Sequence, residues 1–135
     1  LYADISERYH ADKAYDPGTV LEFGGENEVT ETTSQFSTKV IGVVSTDPYA
    51  IMNSPHKEPD KTNEMHPPVA ILGRVPTKVK GPASKGDIMV ASDFPGHAEA
   101  WKGDGDPPVG SNIGKSVENK ESEESGVIEV AVGIN

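Results

Sequence analysis

The 135-residue chain contains no cysteine. That removes disulfides, thiolate metal sites and thiol nucleophiles together. Aromatic residues make up only 6% and the apolar set as a whole 34%, so one copy can build only a thin core, and thin cores are often completed by oligomerisation. Long apolar runs are missing, which leaves no candidate transmembrane helix. No basic start leads into an apolar stretch of the signal-peptide kind. Positive charge is also scarce: 12 Lys and Arg stand against 22 Asp and Glu, a formal net charge of −10. Such a balance argues against nucleic acid and anionic membranes as partners, since both require clustered Lys and Arg. Glycine pairs precede no helical pattern, so no phosphate cradle is expected and no cofactor is implied. The first residue is Leu1 rather than Met, which suggests a fragment or processed product of a longer protein.

What the chain does have is turn chemistry around short apolar runs. Its 14 Gly and 11 Pro punctuate segments rich in Val, Ile and Thr, which suit pleated, half-buried surfaces. Strands are expected at Thr19–Phe23, Glu28–Thr33, Lys39–Ser45, Val69–Leu72, Thr77–Val79, Ile88–Ala91, Asn112–Glu118 and Gly126–Ile134. Gly24-Gly25-Glu26-Asn27 reads as a hairpin turn, and Gly73 and Pro76 read as breaks within Val69–Ala91. Asp47–Asn53 reads as a single helical turn, with Pro48 in its first turn after an Asp47 cap. The 1–16 arm is polar; Ile5 and Tyr9, four apart, are compatible with one or two helical turns or an irregular arm. Residues 54–68 are Pro-rich and read as an exposed loop or insertion. The expectation is one all-β domain over 1–135, a β-clip-like small sheet assembly of about eight short strands with long turn-rich loops.

Five blocks carry a resemblance that composition cannot supply: YADISERY (Tyr2–Tyr9), DPGTVLEFGG (Asp16–Gly25), KVIGVVSTDPYAIMN (Lys39–Asn53), LGRVPTKVKGPASKGDIMVAS (Leu72–Ser92) and IGKSVENKESEESGVIEVAVG (Ile113–Gly133). In this order they resemble the C-terminal domains of phage tail-fibre and virion appendage proteins. That group is similar to the peptidase G2, or intramolecular chaperone autocleavage, domains. The resemblance implies a domain at the end of a fibrous virion protein, assembled as a homotrimer with other virion proteins as neighbours and located in the virion. It also implies two alternatives, self-cleavage through a Ser nucleophile and binding of a host-surface glycan.

Candidate residues can be named for each. Ser6 and Lys85 are the nucleophile and base candidates for self-cleavage; a capping Ser6 and a solvated Lys85 are the plainer reading. Chains that cleave carry a Ser-Asp junction that is not evident at this N-terminus. Trp101 with Phe94 and His97 is the glycan candidate, against ordinary packing of a lone Trp. His10, His56 and His66, with Asp12 and Asp60, are candidate metal ligands, although their spacing is not that of a zinc helix; on a threefold axis one His would be repeated three times. Asp104-Gly105-Asp106 lacks the further oxygens of a calcium loop and reads as an acidic turn. Glu118–Glu124 reads as a solvated hairpin tip.

Overall fold

The computed structural model describes residues 4–46, 48–52 and 64–133. Among them there is no helix and there are ten strands: β1 (Asp4–Arg8), β2 (Val20–Phe23), β3 (Val29–Glu31), β4 (Val40–Val44), β5 (Ala50–Met52), β6 (Pro68–Lys80), β7 (Ile88–Ala91), β8 (Ala98–Ala100), β9 (Gly114–Ser116) and β10 (Ser125–Val132). The expected all-β class holds.

β6 organises the molecule. Its C-terminal part pairs antiparallel with β10 over eight positions, from Gly73↔Val132 to Lys80↔Ser125. β10 pairs with β9, β9 with β7 and β7 with β8. β8 returns to β6 through Val79↔Ala98, which closes a small five-strand barrel. A ring this narrow has room only for compact side chains. Val75, Val79, Met89, Ala98, Ala100, Ile113, Ile128, Val130 and Val132 belong to its buried cluster. The N-terminal part of β6 leaves the barrel and pairs with β1 on one edge and β4 on the other. β4 then pairs with β2, and β2 with β3.

Successive residues of a strand face opposite sides, and β6 uses both. Ala70 belongs to the barrel cluster, whereas Val69 joins a second one with Ala11, Leu21, Val29 and Val44. Tyr9, Tyr15 and Ile41 pack against that second cluster. Of the 1–16 arm, residues 4–16 are therefore a strand followed by a covering segment, not helical turns. Its i, i+4 apolar pair was also compatible with a strand, and tertiary pairing decided between them.

Three further expectations need correcting. Val69–Leu72 and Thr77–Val79 are one continuous strand. Gly73, at φ 120°, is a bend where β6 pairs both with Asp4 of β1 and with Val132 of β10. Pro76 lacks an N–H, but the N–H of Lys78, two residues on, points to the Gly18 carbonyl and not to β10. Pro76 faces the same way, so the β10 ladder loses no donor. Within Asp47–Asn53, Ala50–Met52 is an edge strand parallel to β1 rather than a helical turn; Asp47 and Asn53 lie outside the described residues. The Gly24–Asn27 hairpin is present, joining antiparallel β2 and β3, and β8 fell in a segment expected to be turns.

Asp12 fixes the covering segment. Its carboxylate accepts from the Tyr15 hydroxyl at 2.6 Å and from the Thr30 hydroxyl at 2.9 Å. Burial alone would raise its pKa, but these donors, its backbone N–H and Lys13 hold it below the ordinary carboxylate value. The charged form thus stabilises the fold above the ordinary value near 3.9, and this contribution fades as pH falls through the lowered one. Asp12→Asn is expected to lower stability at pH 7, with the gap to the parent protein closing below about pH 4. Urea unfolding at pH 7, 5 and 3 checks this; a gap independent of pH would remove the role.

Gly42 marks the closest approach of β4 to β6, since a Cβ there would overlap the Ala70 carbonyl oxygen. Gly42→Ala is expected to destabilise by about 2–3 kcal/mol, the cost of forcing extra volume into packed structure. Thermal unfolding by circular dichroism measures it, and an unchanged midpoint would contradict it.

Candidate functional site

β1 is patterned the wrong way round for a strand covering a soluble core. Its buried positions are Asp4, Ser6 and Arg8, while Ile5 between them is exposed. A half-buried strand ordinarily places apolar residues inward. The inward polar groups are well partnered. The Asp4 carboxylate accepts from the Ser6 hydroxyl at 2.6 Å and the Ser45 hydroxyl at 2.7 Å. Arg8 Nη1 donates to the His66 carbonyl at 2.6 Å, and burial lowers the Arg8 pKa. These bonds fix the register, so Ile5 cannot rotate inward without stranding a buried carboxylate.

Neighbouring strands continue the apolar outer face. Ile5 stands in register with Ala50 of β5 and Leu72 of β6. Met52, two residues on from Ala50 and so on the same face, and Leu72 are exposed at 45% and 44%, and Tyr49 at 85%. A shallow hollow of about 240 Å³ is lined by Asp4, Ile5, Tyr49, Leu72 and Gly73. Among the described residues β5 pairs only with β1, so its other edge has no described backbone partner beside this surface. A contiguous apolar patch flanking an open strand edge is suited to pairing with another polypeptide.

The structure scatters the residues singled out for chemistry. Ser6 is fully buried and bound to Asp4. Lys85 is exposed in the turn after β6, its N–H donating to Asn119. Ser6 stands opposite Ala70 near the start of β6, so most of that strand separates the two. His10 and His66 do meet, their rings stacked at 4.5 Å with planes 13° apart. His56 and Asp60 lie outside the described residues, and no group of three His, Cys, Asp or Glu that could hold a metal ion occurs among the described residues.

The aromatic trio divides. Phe94 packs edge-on against His97 at 4.7 Å, with Lys80 Nζ 5.0 Å from its ring centre. Trp101 lies beyond the other end of β8, edge-on to Phe36 at 5.1 Å. Its ring covers Gly103, where no Cβ would fit, and its Nε1 donates to the Gly105 carbonyl. The Asp104–Asp106 turn therefore works as a seat for Trp101. In the Glu118–Glu124 tip, Lys120 donates to the carbonyls of Gly81, Ser122 and Glu124.

Reasoning from sequence missed the inverted strand. The available signal was the alternation Asp4-Ile5-Ser6, visible only once a strand is assumed. It also missed Ser125, which is exposed at the start of β10 and lies 2.6 Å from His97 Nε2.

No protein-family model matches the chain, and no curated protein matches it significantly. Among solved structures, the fold is similar to the C-terminal fragment of gene product 12 of bacteriophage phi29. The TM-score is 0.64 at 12% identity, covering 96% of this chain and 99% of that one. The likeness extends over essentially both chains and is one of fold.

Proposed function

We propose that this chain is the self-associating C-terminal domain of a phage tail-fibre or appendage protein, a structural part of the virion that holds three copies together and caps the fibre. The observation that carries the reading is the inverted strand β1. It turns Ile5 outward beside Leu72 and the β5 edge, where a second copy of the chain would cover them. The fold similarity to a phage protein's C-terminal fragment supports the virion setting, as does the order of the five sequence blocks. Association in a ring joins unlike surfaces and closes when the rotation permits. In such a ring each copy's β5 edge and its apolar neighbours would meet a different face of the next copy. Loops at the far end of the domain, including the Trp101 seat and Phe94, would remain open to a host surface.

Light scattering at low micromolar concentration is expected to report three copies per particle. Leu72→Glu should leave the monomer folded, because the side chain is already 44% exposed, yet shift the population to single copies. An interface-centre charge of this kind costs about 2 kcal/mol or more. A parent protein that scatters as a monomer at this concentration would overturn the reading.

A second reading, self-cleavage upstream of β1, has one observation behind it: the buried Asp4, Ser6 and Ser45 cluster is a hydroxyl–carboxylate group at the start of the described chain. Intact-mass measurement on a longer version of the chain is expected to show a cut ahead of Asp4 that Asp4→Asn abolishes. An uncut product would remove this reading and leave the assembly role standing.

A further inference from the structure

At the other end of β6 two polar side chains form a pair that the assembly role does not use. His97 is 8% exposed, follows the β7–β8 turn and leads into β8. Its Nδ1 lies 2.8 Å from the Pro95 carbonyl oxygen, which can only accept, so Nδ1 carries the proton. Nε2 is then an acceptor, and the Ser125 hydroxyl donates to it at 2.6 Å. Ser125 is exposed. A hydroxyl bonded to an imidazole, itself oriented through its second nitrogen, is the arrangement that activates serine as a nucleophile.

The surroundings suit that chemistry. Burial, with help from Lys78 and Lys80, lowers the His97 pKa against the opposing effects of the Pro95 carbonyl and Glu31. The imidazole therefore stays neutral, as a base must. Lys80 pairs with Ser125 across the β6–β10 ladder, and its ammonium lies over Phe94, the ring that packs against His97. Lys80 thus brings positive charge to the Ser125–His97 pair, whereas Lys78 is paired with Asp16 at 3.8 Å.

We propose that Ser125 and His97 form an acyl-transfer site that hydrolyses small O-acyl esters, with negatively charged ones favoured by Lys80. Ser125 Oγ adds to the ester carbonyl carbon as its proton passes to His97 Nε2. The bond to the leaving alcohol breaks, and His97 returns the proton to that oxygen. Water then adds to the acyl-Ser125 carbonyl carbon, giving its proton to His97; the bond to Ser125 Oγ breaks and the proton returns to Oγ, releasing the acid.

A fluorophosphonate probe tests this on the full chain, with modified peptides located by mass spectrometry. Ser122, exposed in the same loop and donating no bond to an imidazole, is the internal control. Labelling at Ser125 is expected to exceed that at Ser122 by about a hundredfold, the lower range of a positioned general base. It should vanish in Ser125→Ala and fall to the Ser122 level in His97→Asn. p-Nitrophenyl acetate hydrolysis should follow the same order. Labelling of the parent protein should also drop as acid protonates His97. If His97→Asn fails to fold by circular dichroism, this pH profile decides: a flat one overturns the proposal, as does equal labelling of Ser125 and Ser122.

Discussion

The molecule depends on one strand serving two sheets. β6 spans 13 residues, about twice an ordinary strand, and every other part of the fold is hung from it. Its later half must hold β10 for the barrel to close, and its earlier half must hold β1 and β4 for the second cluster to be covered. Three residues make this possible. Gly73 supplies the bend, Pro76 presents its missing donor to the side without a β10 partner, and Gly42 lets β4 approach the Ala70 carbonyl. Because β6 is shared, the apolar edge and the Ser125–His97 pair sit toward opposite ends of one rigid element.

The polarity of β1 follows from what it must pair with. Asp4, Ser6 and Arg8 occupy inward positions where an uncompensated charge would cost several kcal/mol. They are tolerated because Ser6, Ser45 and the His66 carbonyl meet them at 2.6–2.7 Å. Bonds of this kind contribute little net stability but much specificity of register, since a one-residue slip would leave each of them unmet. Their consequence is an outer face carrying Ile5, Leu72 and, from β5, Ala50 and Met52. In a chain with so few apolar residues, placing them outside is costly for a single copy and reasonable for an assembly.

How much of this was legible beforehand varied with the physical signal. Val20–Phe23, Ile88–Ala91 and Ser125–Val132 were readable because β-branched residues lie between strong turn formers. β8 is Ala-Glu-Ala, three residues without a β-branched side chain, and its strand state comes from pairing with β7. β5 follows the Asp47-Pro48 pattern of a helix start, yet Ala50–Met52 pairs with β1 as a strand. The continuity of β6 was hidden because sequence does not say which side of a strand a proline presents. Site residues were harder still. Ser125 and His97 are 28 positions apart, and Ser125 ends an acidic tip whose composition suggests only solvation. Their meeting depends on β6 carrying β8 and β10 on its two sides.

Charge and apolar surface act together in this chain. With a formal charge of −10 per copy, two molecules repel at long range, and most relative orientations bring acidic loops together. The surface formed by Ile5, Met52 and Leu72 is mainly apolar, with Glu7 beside Met52, and it adjoins a β5 edge that has no partner among the described residues. In the proposed assembly an encounter there would gain apolar burial and strand hydrogen bonds, while an encounter elsewhere would gain neither and suffer the repulsion. Specificity then comes as much from disfavouring wrong contacts as from the right one. In the proposed assembly, the scarcity of Lys and Arg would thereby favour association through that edge over other contacts.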